Sequence, residues 1–487
     1  MADYPVRMNA ASNARWIALS QGVRVGMQFV SVVVLARLLT PADFGLMAMI
    51  VVLSNLVALL RDLGTGAAIV QQKDLAPATS NAVFWLNVLL GAILAVIVGG
   101  GADLFAASFR APNLVPMLLA LAPSFLIGSL GSLPKALLER RSAFSIVARI
   151  EILSALVTVA VTVTSAAFGA GAMSWIYGIL VGVSLSTLQL WQAAAWRPTF
   201  ENSMPQLGSL LKFSGYLSGF NLINYFARNA DAFIIGRYLG AGALGLYSSA
   251  YKIMLFPVQN LTWVASRALY PVLCRHQDDL PAMAALYFKS VAVILFFTAP
   301  LMAGVFVLRE PFIDVLMGPS WRGVADLLLW LAPVGFVQSV VSTTGTVSAA
   351  RGRTDLLFGI GAASAVLQVS SFVVGVRWGV TGVAACYLAA NLLAAVPALL
   401  VALRQLEQPL AALLLVTLPS VACALAMAIA VEVGVQLARP LGLSAPTLLA
   451  GGALAGGSTY LILMAVIARP NVRMVLGLLG VLGRPAH

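Results

Sequence analysis

The 487-residue sequence is 61% hydrophobic and only 9% charged, yet carries a formal net charge of +12. With a mean hydropathy of +0.96, it holds more apolar surface than a soluble core needs, which excludes a water-soluble globular domain. Its apolar runs are long and unbroken rather than short and alternating, which excludes a membrane β-barrel.

The first run, Trp16 to Leu39, is too long for a signal peptide and no small-residue cleavage site follows it, so it is expected to stay as a membrane helix. In chain order, length and hydropathy predict 14 helical spans at about 14–38, 44–62, 80–102, 113–134, 146–168, 171–195, 210–235, 243–270, 283–308, 323–349, 355–376, 380–403, 409–432 and 446–468. With the N-terminus placed inside, 18 Lys and Arg residues fall on the inner side and 8 on the outer, while Arg24, Lys252 and Lys289 fall within spans. This bias predicts that both termini are cytoplasmic in a bacterial inner membrane. It also accounts for much of the positive charge, so nucleic-acid binding is not inferred.

Cys274, Cys386 and Cys423 are odd in number and scattered, and His276 and His487 form no cluster, so neither a disulfide framework nor a metal site is expected. None of the five lysines follows a glycine, which removes a Walker-type phosphate loop. No cofactor is expected, and any ATP would be used by a partner.

The chain repeats itself. "VLARLLTPADFGLMAM" (Val34 to Met49) returns in worn form as "IIGRYLGAGALGLYSSA" (Ile234 to Ala250), matching Arg37 to Arg237, Leu39 to Leu239, Gly45 to Gly245 and Leu46 to Leu246 at an offset of 200. "LLALAP" (Leu118 to Pro123) returns as "LLWLAP" (Leu328 to Pro333) at an offset of 210, which also relates Arg141 to Arg351, Gly169 to Gly379 and Tyr177 to Tyr387. Each copy holds six spans, an even number, so both copies face the same way and are related by an axis along the membrane normal. The organisation expected is an all-α membrane protein with lobes at 1–200 and 201–405 and two extra helices in 406–487. The repeated block reads as the short turn between the first two helices of each lobe, with Pro41, Asp43 and Gly45 as turn residues.

Polar residues inside spans are few and patterned. Gln21, Arg24, Gln28 and Ser31 lie on one face of helix 1, and Asn221, Asn224, Arg228 and Asp231 repeat that spacing on helix 7. Arg24 falls near the bilayer middle, where a charge is costly and marks a functional candidate, the competing reading being a structural tie. Lys252 lies similarly deep in helix 8, and Asp231 is read as the partner of Arg228 one turn away. Lys289, Arg61 with Asp62, Glu151 and Glu432 sit near span ends, where they are expected to snorkel to the interface. The deep charges are cations, with no isolated deep carboxylate in the first lobe. Such a cavity suits an anion, since Arg grips phosphate oxygens in bidentate fashion and Lys as a point charge. Arg24, Lys252 and Arg228 are the expected anion-binding residues, with Gln21, Gln28, Asn221, Asn224 and Asp231 lining the cavity.

These residues resemble a known family. The stretch from Leu35 to Met49, "RDLGTGAAIVQQKDL" (Arg61 to Leu75) and "NADAFIIGRYLGAGALGLYSSAYKI" (Asn229 to Ile253) are similar to the polysaccharide flippases of the multidrug/oligosaccharidyl-lipid/polysaccharide exporter superfamily, closest to the colanic-acid-exporter-like group. The resemblance covers about the first 400 residues. It implies 14 helices, a V-shaped cavity opening alternately inward and outward, and translocation of undecaprenyl-diphosphate-linked oligosaccharide. It further implies that cavity cations hold the diphosphate, and Arg24 sits where such flippases carry a first-helix Arg. Coupling to a proton or sodium gradient is implied loosely. The implied partners are the lipid-linked oligosaccharide, membrane lipids and the polysaccharide polymerase and export machinery. The alternatives are a drug or organic-cation antiporter of the same fold, which calls for a carboxylate in the first lobe, and a non-transporting subunit of a polysaccharide synthase. An integral enzyme is weaker, because every loop is short and no carboxylate pair stands out.

Overall fold

A bilayer offers no water to unpaired backbone groups, so a spanning chain satisfies them within helices. The computed structural model describes residues 10–61, 69, 77–199, 207–469 and 471–472, and among these the regular elements are all helical. Helix α1 runs Ala10–Leu38, α2 Pro41–Arg61, α3 Pro77–Gly100, α4 Ala102–Phe109, α5 Leu114–Arg140, α6 Phe144–Ala167 and α7 Met173–Ala194. Helix α8 is one run, Leu207–Arg275, broken at Gly240, whose φ of 84° is open to glycine and strained for other residues. There follow α9 Leu280–Val307, α10 Arg309–Leu316, α11 Arg322–Val341, α12 Thr344–Ala350, α13 Thr354–Gly375, α14 Gly379–Gln405, α15 Leu410–Ala438 and α16 Ala445–Ile467.

Each expected span falls on helix, the seventh and eighth on the two arms of α8 and the tenth, 323–349, on α11 and α12 together. Ten helical stretches among the described residues are long and apolar enough to cross a membrane, and one of them, Thr354–Gln405, contains both α13 and α14. Their outward faces carry large apolar side chains such as Val96, Leu415 and Leu454, which water would penalise and acyl chains accept. The structure adds α4 and α10, each of 8 residues, too short to read as spans. Asp62 and most of the stretch up to Leu75 lie outside the described residues, as do the side chains of Arg61, Asn221, Asn224 and Arg228.

The repeat is visible atom by atom. Ser129 Oγ donates to the Phe125 carbonyl at 2.9 Å, and Ser339 Oγ, 210 residues on, donates to the Gly335 carbonyl at 2.8 Å. One turn later Ser132 donates to the Ser129 carbonyl at 2.9 Å and Ser342 to the Ser339 carbonyl at 2.8 Å. Pro123 and Pro333 sit at matching places inside α5 and α11. Gly169 and Gly379 share a left-handed conformation at φ of 84° and 75°.

The chain forms two compact units, Met1–Gly245 and Leu246–His487. In the first, α5 packs on α3 and α7, and α6 packs on α1 and α7. In the second, α14 packs on α11 and α13, and α15 packs on α9 and α16. The two helices beyond the repeat share a core with α9 through Phe296, Cys423, Met427, Tyr460 and Met464. Tyr460 Oη donates to the Phe296 carbonyl at 3.0 Å, which satisfies its buried hydroxyl.

The repeated block is more than a turn. Asp43 and Thr40 form a capping box: Asp43 Oδ2 accepts from Thr40 N at 2.9 Å and Oγ1 at 2.7 Å, and Asp43 N donates back to Thr40 Oγ1 at 3.3 Å. The other oxygen, Oδ1, accepts from Ala172 N at 3.1 Å and ties this turn to the start of α7. Gly45 lies inside α2, and its task is close approach rather than turning: a Cβ there would strike the Ala241 carbonyl. Reciprocally, a Cβ on Gly245 would strike the Pro41 carbonyl.

Candidate functional site

Arg24 stands in the first third of the apolar span Leu19–Leu38 of α1, inside a membrane segment where a charge is costly. Helix α1 packs on α6, and Arg24 reaches across to it. One Nη of Arg24 donates to Gln21 Oε1 a turn earlier. The other lies 4.0 Å from Glu151 Oε2 on α6. The second oxygen of Glu151 accepts from Lys135 Nζ of α5 at 2.8 Å, and Lys135 also lies 3.9 Å from Glu139 one turn further on. One carboxylate thus bridges two cations from two different helices. Nearer the helix starts, Arg149 of α6 lies over the Trp16 ring at 5.3 Å, a second clasp worth about 0.5–1 kcal/mol at an exposed site.

This arrangement corrects one expectation. Glu151 does not snorkel alone at a span end; it is the counter-ion of Arg24 and Lys135, so the first lobe does hold a carboxylate beside its deep cation. Hydropathy hides it, because α6 as a whole stays strongly apolar and the pairing joins positions with no common periodicity. The cluster of Arg24, Lys135, Glu139 and Glu151 balances in formal charge and stays open to solvent: the Arg24 side chain is 48% exposed and that of Lys135 41%. Gln21 and Gln28 are exposed on the same face of α1.

Lys252 belongs to the second unit. Its side chain is exposed, and it has no hydrogen-bonding or ionic partner among the described residues. Asp231 is buried and accepts from the Ala232 amide at 2.7 Å, while its expected pairing with Arg228 falls outside the described side chains.

Two cavities lie within the second unit. The larger, about 710 Å3, is an apolar groove between α9, α11 and α15, lined by Met302, Phe306, Phe336, Ala424, Ala428 and Ile429, with Arg309, Glu432 and Gln436 as its polar members. Glu432 accepts from Gln436 at 2.8 Å, so this carboxylate borders a groove. The smaller, about 260 Å3, is lined by neutral polar groups: Gln338, Ser342, Thr344, Ser364, Gln368 and Asn391. There Gln338 donates to Tyr387 Oη at 3.0 Å and to Asn391 Oδ1 at 3.2 Å.

Against known proteins, residues 34–326 match the family model described as polysaccharide biosynthesis protein. The chain is 28% identical over 372 residues to the lipopolysaccharide biosynthesis protein WzxC of Escherichia coli (strain K12), covering 76% of each. It is 24% identical over 349 residues to the teichuronic acid biosynthesis protein TuaB of Bacillus subtilis (strain 168), covering 71% of this chain and 72% of that one. Among solved structures it is similar to the lipid II flippase MurJ in an inward closed conformation, with a TM-score of 0.76 over 94% of this chain and 100% of the other; at 15% identity that likeness speaks for the fold. The family match spans more than half the chain, and this multi-pass membrane protein belongs to the polysaccharide biosynthesis protein family.

Proposed function

We propose that the protein carries undecaprenyl-diphosphate-linked oligosaccharide repeat units across the bacterial inner membrane, by alternating access between its two repeats, with both termini in the cytoplasm. The observation that carries this reading is Arg24, a half-exposed guanidinium inside the apolar span Leu19–Leu38. A diphosphate entering the bilayer must trade water for charged donors, and Arg supplies a planar pair of them. Lys252 and Arg228 complete the cation set in this reading, with Gln21, Gln28, Asn221, Asn224 and Asp231 as polar lining.

The apolar groove beside α15 offers the polyprenyl chain a path that keeps it out of water. The neutral pocket suits sugar hydroxyls, which need donors and acceptors but no charge. An organic-cation antiporter fits less well, because the one carboxylate beside Arg24 is already shared by two cations. No bond needs to be made or broken in this cycle, so the protein acts as a transporter rather than an enzyme. Its product on the far side is what a polymerase would take up.

The test is transport in proteoliposomes loaded with a fluorescent undecaprenyl-diphosphate oligosaccharide. Protein-dependent transfer between leaflets is expected for the diphosphate-linked lipid and not for a phosphate-free polyprenyl glycoside. Equal transfer of both, or of neither, would remove the diphosphate from the mechanism.

A further inference from the structure

The Glu151 carboxylate occupies the position of a bound anion. Its two oxygens each face a cation, Lys135 at 2.8 Å and Arg24 at 4.0 Å, and both cations remain open to solvent. We propose that Glu151 is a resident counter-ion that the substrate's diphosphate displaces, so that Lys135 joins Arg24 in the anion site and Glu151 governs how readily the anion leaves. The proposal rests on the transport reading above.

Three observations support it. First, the cluster is not demanded by the fold. At the repeat offset of 210, the positions matching Lys135 and Glu151 are Gly345 and Gly361. The second copy nevertheless keeps the matching serine-to-carbonyl bonds of Ser339 and Ser342. It places helices at the matching positions without the charges, the counterpart of α5 being divided into α11 and α12, and Gly361 instead borders the neutral pocket.

Second, displacement leaves no charge stranded. Lys135 has Glu139 at 3.9 Å, and Glu151, whose side chain is 24% exposed, can turn toward solvent. Removing a partner from a sealed ion pair strands the remaining charge; here the incoming diphosphate supplies the charge that Glu151 withdraws.

Third, transport needs an anion that binds and then leaves. Two cations without a competing carboxylate would hold a diphosphate more strongly than two already paired with one. A carboxylate competing for the same two cations converts capture into exchange, and its return helps expel the anion.

The experiment uses the full-length protein in nanodiscs, with binding measured by native mass spectrometry. The probes are undecaprenyl diphosphate, inorganic pyrophosphate and phosphatidylglycerol. Glu151→Gln is expected to bind undecaprenyl diphosphate about tenfold more tightly while exporting more slowly. Lys135→Ala is expected to bind it about tenfold more weakly. Asp103→Asn, which makes the same charge change on α4, is expected to stay within twofold. Pyrophosphate should follow the same ranking at lower affinity, and phosphatidylglycerol should not follow it.

Unchanged or weaker binding by a stably folded Glu151→Gln variant would overturn the proposal, as would a matching gain for phosphatidylglycerol, which would make the cluster a general anionic-lipid contact. Should Glu151→Gln fail to fold, Glu151→Asp decides the matter: its shorter reach keeps the charge but loosens the competition, so tighter binding supports displacement and unchanged binding refutes it. Failure of the wild type to bind undecaprenyl diphosphate would instead sink the transport reading. Wild-type binding that Arg24→Ala abolishes and Glu151→Gln leaves alone would sink only the counter-ion.

Discussion

Replacing Arg24 with Ala separates a structural arginine from a substrate-binding one, because the two roles differ in size. The structural tie is one ion pair at 4.0 Å with the arginine side chain 48% exposed. Unscreened at an effective dielectric near 20, such a pair is worth about 4 kcal/mol, but solvent-open pairs return only about 0–1 kcal/mol in practice. Arg24→Ala should therefore cost the fold about 1 kcal/mol or less and leave the protein in the membrane. Against a diphosphate the same guanidinium makes charge-assisted hydrogen bonds worth about 1.5–3 kcal/mol each. Two of them amount to about 3–6 kcal/mol, a loss of binding of at least 100-fold at about 1.4 kcal/mol per decade.

The assay is accumulation of lipid-linked repeat units on the cytoplasmic side of a strain lacking its own flippase. Arg24→Ala should abolish export at normal membrane levels. Arg24→Lys should keep part of it, having lost the planar fork, and Gln28→Ala, neutral on the same face, should cost much less. The double variant Arg24→Ala/Glu151→Gln separates the roles further. Were Arg24 only the partner of Glu151, removing both would restore export. Full complementation by a well-expressed Arg24→Ala protein would refute the anion site.

Reporter fusions should place residues near 275 in the cytoplasm and near 315 outside; an outside signal near 275 would undo the topology and the parallel reading of the repeats together. Filling the apolar groove with Ala428→Trp should lower export several-fold without lowering protein levels, and normal export would show that the groove carries no lipid chain. Gly45→Val or Gly245→Val should wedge the repeated turns apart by forcing a Cβ into a carbonyl. The readout is faster labelling of a cysteine placed at Arg37, and unchanged labelling would show that the seat yields at no cost. A disulfide between cysteines at positions 37 and 237 should stop transport, whereas full activity in a completely crosslinked sample would contradict motion at these turns.

The spans were legible in the sequence because each needs about 20 apolar residues and few other constraints impose that length. The repeat was legible too, since cognate serines, prolines and glycines keep their spacing. What hid was whatever arises between helices. Lys135 and Glu151 lie on α5 and α6 across a helix–helix turn, so nothing in the periodicity of either pairs them, and a span-end carboxylate reads as a snorkeller until its neighbour is known. Gly45 misled for a related reason: beside Pro41 and Asp43 it looks like turn chemistry, while its real constraint is a carbonyl nearly 200 positions away. The helices α4 and α10 escaped because an eight-residue helix leaves too little hydropathy signal to separate from a loop. Among the proposed site residues, Arg24 and Lys252 stood out by sign and depth alone, since a cation inside an apolar run needs a reason.

The glycine seats of the repeated turns carry one more implication. Gly45 abuts the Ala241 carbonyl and Gly245 the Pro41 carbonyl, and these four residues map onto one another at the repeat offset of 200. Within one chain, this is the geometry of an isologous interface, in which residue i meets j and the copy of i meets the copy of j. Sliding such a contact along either helix spoils both halves at once, because a shift that frees one glycine drives the other into its carbonyl. In this structure both halves of the seat are engaged, each glycine leaving room for the carbonyl opposite. Under the transport reading proposed above, a contact so paired would have the two turns part together rather than one at a time.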